Sequence, residues 1–251
     1  MDKVTKRIQA NRIVGYTRFR DHHCSHLGRH SWDLCGEPMY YWALKMAAEV
    51  KYFEKIVLFT EVKEAQARAK KLSDKFVIVP RTIEECREPE WIITDDLKRP
   101  DSRKSIFPTD TRGSQEQSGF VRSVTGIERP FVVWFPASNP LLRARSIERL
   151  IERYFEHDSA ELARLVTRIP SYIFTQNLVH PEFLWPVWFE LYIARQNHPP
   201  LYCSVGAHIF TYERTGFRRT VFVEVPFEEG IDVHDEEELE LARFYMERRL
   251  K

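Results

Sequence analysis

The sequence predicts an α/β fold whose parallel strands are joined by right-handed crossovers, and three observations carry that prediction. Short runs of β-branched and aromatic residues, IVGYTR (13–18), KIVLFT (55–60), FVIVP (76–80) and FVVWF (131–135), are spaced by segments of helical character. Those segments place apolar residues at helical intervals. A chain of 251 residues with 43% hydrophobic and 13% aromatic content can bury a sizeable core without disulfide staples.

Taken in order, IVGYTR reads as the first strand, and a polar loop follows it. Pro38 then opens MYYWALKMAAEV, where Ala, Leu and Met are dense and proline occupies the first turn, as a buried helix requires. KIVLFT reads as a strand buried on both faces. In the helix after it, Val62, Ala65, Ala69 and Leu72 fall on one side, and FVIVP is the next strand. Residues 81–112 are charged and contain proline, too long for a plain connection and so a candidate functional loop. A weak helix is expected near 114–125, and FVVWF is the clearest strand. Ile147, Leu150, Ile151, Tyr154 and Phe155 repeat at i, i+3, i+4, i+7 and i+8, an amphipathic helix. The aromatic and proline-rich stretch 160–201 reads as an excursion over the core or into a partner subunit. Asp235 and Glu238 form a capping box for the closing helix, whose basic end complements its dipole. Neither an internal repeat nor a dividing linker is visible, so one domain over 1–251 is the simpler organisation.

Charge and composition narrow the function. Lys and Arg number 38 against 37 Asp and Glu, a formal charge of +1, which disfavours both a strongly basic nucleic-acid binder and an acidic disordered chain. MDKVTKRIQANR lacks the apolar stretch of a signal peptide, and no window reaches the ~20 apolar residues of a membrane span, so the cytoplasm is expected. Cys24, Cys35, Cys86 and Cys203 are far apart without CxxC spacing, as free thiols would be.

In an open parallel sheet, ligands bind beyond the carboxyl ends of the strands. Arg18, Arg20 and Arg29, with backbone amides around Gly28, form a candidate cradle for a polyphosphate through forked hydrogen bonds. Solvated loop arginines are the plainer alternative. Arg81 follows the third strand and Ser138 the strand FVVWF. In Gly230-Ile231-Asp232-Val233-His234-Asp235, Asp232 and His234 share a side if the stretch is extended, a pair able to hold Mg²⁺ together with phosphate and water; ordinary acidic residues before a helix are the alternative. Four histidines, His22, His23, His26 and His30, crowd the first loop beside Cys24. Zinc needs three or four convergent ligands, and Gly28 argues against the helix that would align His26 with His30, so substrate-facing or solvated histidines are favoured.

Several motifs fit one template in order and spacing. GIDVHDEEELELARF, IARQNHPPLYCSVGAHIF, FPASNPLLRARSIERLIE, CGEPMYYWAL, VLFTEVKEAQARAKK and Thr109-Asp110-Thr111 together resemble the acylneuraminate cytidylyltransferase family, which makes CMP-sialic acid and related CMP-nonulosonates, over roughly residues 12–250. The resemblance implies a Rossmann-like, GT-A-like nucleotidyltransferase in three layers around a mixed, mainly parallel sheet. It implies CTP and Mg²⁺, an acidic sugar whose hydroxyl attacks the α-phosphate, departure of pyrophosphate, and a homodimer through the region of 160–201. By the same resemblance, Arg20, Arg29 and Asp232 take catalytic places. Gly28, His30 and Asp110 join Arg20 and Arg29 around the nucleotide in that template, and the strand-end residues Arg18 and Arg81, with Ser114, are expected at the same site. Arg195, Gln196 and Ser138 face the sugar acid, and Asp232 with His234 hold the metal.

The ligand-facing positions depart from that template. Asp21 and His22 stand where the family has two glycines, Cys24 where it has lysine, Arg29 and His30 for lysine and asparagine, and His234 for the second aspartate. Phe135 replaces a glutamine and Val205 an asparagine. Three outcomes are compatible with this pattern: cytidylyl transfer to an acidic sugar, a different nucleotide or acceptor on the same fold, or a non-catalytic binding or scaffold protein.

Overall fold

The computed structural model describes residues 2–21, 27–82, 111–169, 174–176, 184–186, 201–211 and 219–251. Its strands are β1 (Ile13–Arg18), β2 (Asp33–Leu34), β3 (Glu37–Pro38), β4 (Lys55–Thr60), β5 (Phe76–Pro80), β6 (Phe131–Trp134), β7 (Leu162–Ile169), β8 (Phe174–Gln176), β9 (Leu184–Pro186), β10 (Leu201–Thr211) and β11 (Thr220–Val225). The helices are α1 (Lys3–Gln9), α2 (Met39–Glu49), α3 (Lys63–Leu72), α4 (Thr111–Thr125), α5 (Ala144–Glu156) and α6 (Glu236–Leu250).

Seven strands form one sheet in the order β11-β7-β10-β6-β1-β4-β5. β1 runs parallel to β4 and β6, β4 to β5, and β11 to β7, while β10 opposes both of its neighbours. The fold is therefore α/β with a mixed, mainly parallel sheet, as expected. β2 pairs with β3, and β8 with β9, in two small antiparallel ribbons.

Because side chains alternate along a strand, each register row of the sheet belongs to one face. The row Phe76, Ile56, Gly15, Val133, Ile209, Ala163 and Val221 lies on the first face. Apolar residues of α1, α2, α3 and α5 cover it in the main core. Ile147, Leu150, Ile151, Tyr154 and Phe155, the amphipathic stripe of α5, are all buried there. Each such side chain contributes about 1.5–3 kcal/mol of transfer free energy. On the second face α4 packs Val121, with Phe120 and Val124, over Val14, Tyr16, Val57 and Phe59.

The closing helix starts as the sequence predicts. The Glu238 N–H donates to Asp235 Oδ1 at 2.9 Å, and Glu238 Oε2 accepts the His234 N–H at 2.6 Å. Leu239, Ala242 and Met246 of α6 then join Leu34, Met39, Leu141, Ile231 and Val233 in a separate cluster. That cluster draws the tail of the chain to the segment following the first loop. Two expectations are refined. Residues 162–169, the start of the stretch read as an excursion, are an inner strand of the main sheet. The expected helix near 114–125 begins at Thr111.

Candidate functional site

The chain passes from β1 to β4 and β5 on one side, then returns to β6 on the other, so strand order reverses between β1 and β6. A crevice beyond the carboxyl ends of the strands is the usual ligand site at such a reversal. Arg18 ends β1 and Trp134 ends β6, and the Arg18 guanidinium lies over the Trp134 ring at 5.5 Å. The pair is a cation–π contact at the switch point. Arg81 is buried, its N–H donates to the Thr60 carbonyl at 3.1 Å, and its guanidinium lies over the Phe59 ring at 5.2 Å. Phe59 is the register neighbour of Arg18, so two of the expected arginines share one face of the sheet.

The loop after β1 is organised by a carboxylate. Asp21 Oδ1 accepts the His30 N–H at 3.1 Å, Oδ2 accepts the Ser31 hydroxyl, and the Asp21 carbonyl accepts the Gly28 N–H at 3.0 Å. Gly28 adopts φ +72°, a left-handed conformation that glycine takes without strain, and a 3₁₀ turn over Arg29–Ser31 follows. His30 is buried against Phe19 at 5.1 Å between ring centroids. Its Nδ1 lies 3.1 Å from the Arg20 carbonyl, which only accepts, so Nδ1 carries the proton. Burial pushes the Asp21 carboxyl up, but the hydrogen bonds from His30 and Ser31 outweigh it and hold the group below the usual carboxylate range. Arg20 and Arg29 are half-buried in this loop. His22, His23, Cys24 and His26 lie outside the described residues, as do Asp110, Arg195 and Gln196; Ser114 lies within α4.

The tail reaches the same end of the sheet. The Val233 N–H donates to the Ser138 carbonyl at 2.9 Å, which sets Asp232 and His234 beside the loop that follows β6. Buried Asn139 ties this junction together, its Nδ2 donating to the carbonyls of Val205 at 2.9 Å and Glu229 at 3.5 Å. Glu229 is buried too, and its Oε2 accepts the Arg143 N–H at 3.1 Å. Burial raises the Glu229 carboxyl, against the hydrogen bonds from Ser146 and Arg143. Asp232 and His234 do come together, with Oδ2 3.6 Å from Nε2. Asp232 Oδ1 is buried without a hydrogen-bond partner among the described residues. No group of three or more His, Cys, Asp or Glu side chains able to hold a metal occurs among the described residues. Mg²⁺ does not require one, since it takes one or two carboxylates and completes its shell with phosphate oxygens and water. The Asp232 oxygen fits that use.

Two residues escaped the sequence reading. Arg164 of β7 pairs with His208 of β10, and His208 with Trp134, in one row of the second face. LARLVTRI offers only a weak strand signal, because Leu162 and Val166 share the face of Arg164 and Arg168 and break the apolar-polar alternation. His208 is buried, and burial together with the Arg164 charge pushes its imidazole down to about 4. A bulge between Ser204 and His208 turns the strand here, and Gly206 at its centre has φ +85°.

No protein-family model matches the sequence, and no curated protein matches it. Solved structures do resemble it. One described as CMP:2-keto-3-deoxy-manno-octonic acid synthetase complexed with CTP is 13% identical, with a TM-score of 0.60 over 95% of this chain and 100% of the other. The 4-diphosphocytidyl-2C-methyl-D-erythritol synthase of Anaerococcus prevotii is 10% identical, with a TM-score of 0.63 over 98% and 100%. Another structure described as that synthase gives 8% and 0.60 over 94% and 98%. At these identities the likeness is one of fold, and the fold is that of the cytidylyltransferase structures.

Proposed function

We propose that this chain is a cytidylyltransferase-like enzyme that transfers CMP from CTP to an acidic sugar and releases pyrophosphate. The observation that carries the reading is the convergence at the β1/β6 reversal of Arg18, Arg81 and the Asp21–Ser31 loop with Asp232. In this reading Arg18, Arg20, Arg29 and Arg81 hold the triphosphate, with the Gly28 backbone and His30 shaping the loop and Asp110 and Ser114 completing the nucleotide site. Their fixed positive charge stabilises the charge that develops on the phosphates. Asp232, with His234 beside it, would hold Mg²⁺, which neutralises phosphate charge when bound. Ser138, Arg195 and Gln196 would face the acceptor. The acceptor hydroxyl oxygen forms a bond to the α-phosphorus as the bond to the bridging oxygen of pyrophosphate breaks, and the hydroxyl proton leaves to solvent. Action in the cytoplasm belongs to the same reading, as does a homodimer through the part of the 160–201 stretch that follows the inner strand β7; no helix among the described residues is long and apolar enough to cross a membrane.

One observation favours a second reading, a nucleotidyltransferase fold that binds without catalysing. The Asp21 carboxylate stands in the loop expected to receive phosphates and is held in its charged form. Incubating the protein with CTP, Mg²⁺ and a panel of nonulosonic acids separates the two. Pyrophosphate release, lowered about a hundredfold by Asp232→Asn, supports the enzyme. Absence of both CTP binding and pyrophosphate release sinks it.

A further inference from the structure

Arg164 and His208 are directly opposed residues of antiparallel strands, so their side chains leave the same face with Cβ atoms about 4.5–5.5 Å apart. Across His208 lies Trp134, carrying Arg18, and across Arg164 lies Phe222. Arg164 Nε is buried without an acceptor among the described residues, and no carboxylate there forms an ion pair with its guanidinium. Arg164 as a whole is half-buried, and a buried N–H of a cation without an acceptor is stabilised by an incoming anion. His208 supplies the complement. Its Nδ1 lies 2.8 Å from the Gly206 carbonyl, so Nδ1 holds the proton and the neutral ring offers Nε2 as an acceptor. Nε2 makes no hydrogen bond among the described residues. One cation and one pure acceptor therefore stand side by side on a face edged by aromatic rings.

We infer that Arg164 and His208 form an anion subsite that takes a small group presenting a charged oxygen beside an O–H, with the guanidinium on the oxygen and Nε2 on the hydroxyl. A 2-hydroxycarboxylate and a phosphate monoanion both have that chemistry, whereas a bare carboxylate satisfies only the arginine. The inference rests on the proposed transfer reaction only in making this ligand the acceptor; the subsite itself does not require nucleotide.

Binding is therefore measured without nucleotide, with glycolate, acetate and inorganic phosphate as probes, following the His208 ring nitrogens by NMR in the full chain. Glycolate is expected to bind more tightly than acetate and to move the Nε2 signal. Arg164→Gln is expected to weaken glycolate about tenfold or more, Arg164→Lys less, and His208→Phe to erase the preference over acetate. CTP affinity, measured separately, is expected to be unchanged in all three variants. Phosphate binding with the same residue dependence, in place of glycolate, assigns the subsite to a phosphorylated acceptor. Glycolate binding in a protein that fails to bind CTP keeps the subsite and removes the transferase reading. If neither glycolate nor phosphate moves the His208 signal, or if Arg164→Gln binds them like the parent, the inference is overturned.

Discussion

Two adjacent register rows cross the same seven strands and meet opposite fates. The first-face row, Phe76, Ile56, Gly15, Val133, Ile209, Ala163 and Val221, is apolar from edge to edge and lies under helices. The second-face row runs Val77, Val57, Tyr16, Trp134, His208, Arg164 and Phe222. It is apolar where α4 covers it, polar past β6, and ends on Phe222 at 62% exposure. Past β6 the second face thus sets a half-buried arginine and a buried histidine among apolar neighbours, where a polar group needs a partner of its own. The difference teaches that the two faces of single strands divide a purely apolar packing role from a mixed polar one.

That division can be broken by experiment. Ile151→Ala, a cavity under the first row, is expected to cost about 2–5 kcal/mol in denaturant unfolding. A loss below about 1 kcal/mol would place the main core elsewhere. On the second row the largest effect is with pH. His208 sits near 4 in the fold against an ordinary 6.5, so as pH falls the unfolded chain takes the proton first. Its contribution is complete above about 6.5 and is lost between about 6.5 and 4, at roughly 1.4 kcal/mol per pH unit. His208→Gln should flatten that slope relative to the parent, and equal slopes would refute the buried neutral ring. Arg18→Ala should weaken CTP about tenfold in calorimetric titration while leaving the melting temperature nearly unchanged. Should it unfold the protein instead, its contact with Trp134 is structural. Phe222→Ser, at the exposed end, should change stability by no more than about 0.5 kcal/mol.

Much of this frame was legible beforehand. The strands at 13–18, 55–60, 76–80 and 131–134, the stripe of α5 and the Asp235 cap all follow from local periodicity and capping chemistry, which depend on neighbours a few residues away. β7 is not legible in the same way, because LARLVTRI mixes the arginines with buried Leu162 and Val166 on one side of the strand, a pattern that only the packing around it explains. α1 was unseen as well, a helix of 7 residues with a single buried side chain, capped by Asp2. Of the site, Arg18, Arg81, Ser138, Asp232 and His234 were named from their places after strands or before a helix, and the structure brings them to one end of the sheet. Asp21 stands at a glycine position of the resembled family, and only the structure shows that its carboxylate gathers His30 and Ser31.

Sequence alone determined the class of fold and which residues follow the strands as candidates for a ligand site, because strand and helix signals are local and follow from short-range periodicity. Only the tertiary structure decided that β10 runs against its neighbours and that Arg164 meets His208 across 44 positions of chain. It also decided that the Asp232 segment docks on the Ser138 carbonyl. Those are pairings between distant segments, set by strand order and register, and no spacing within the chain encodes them.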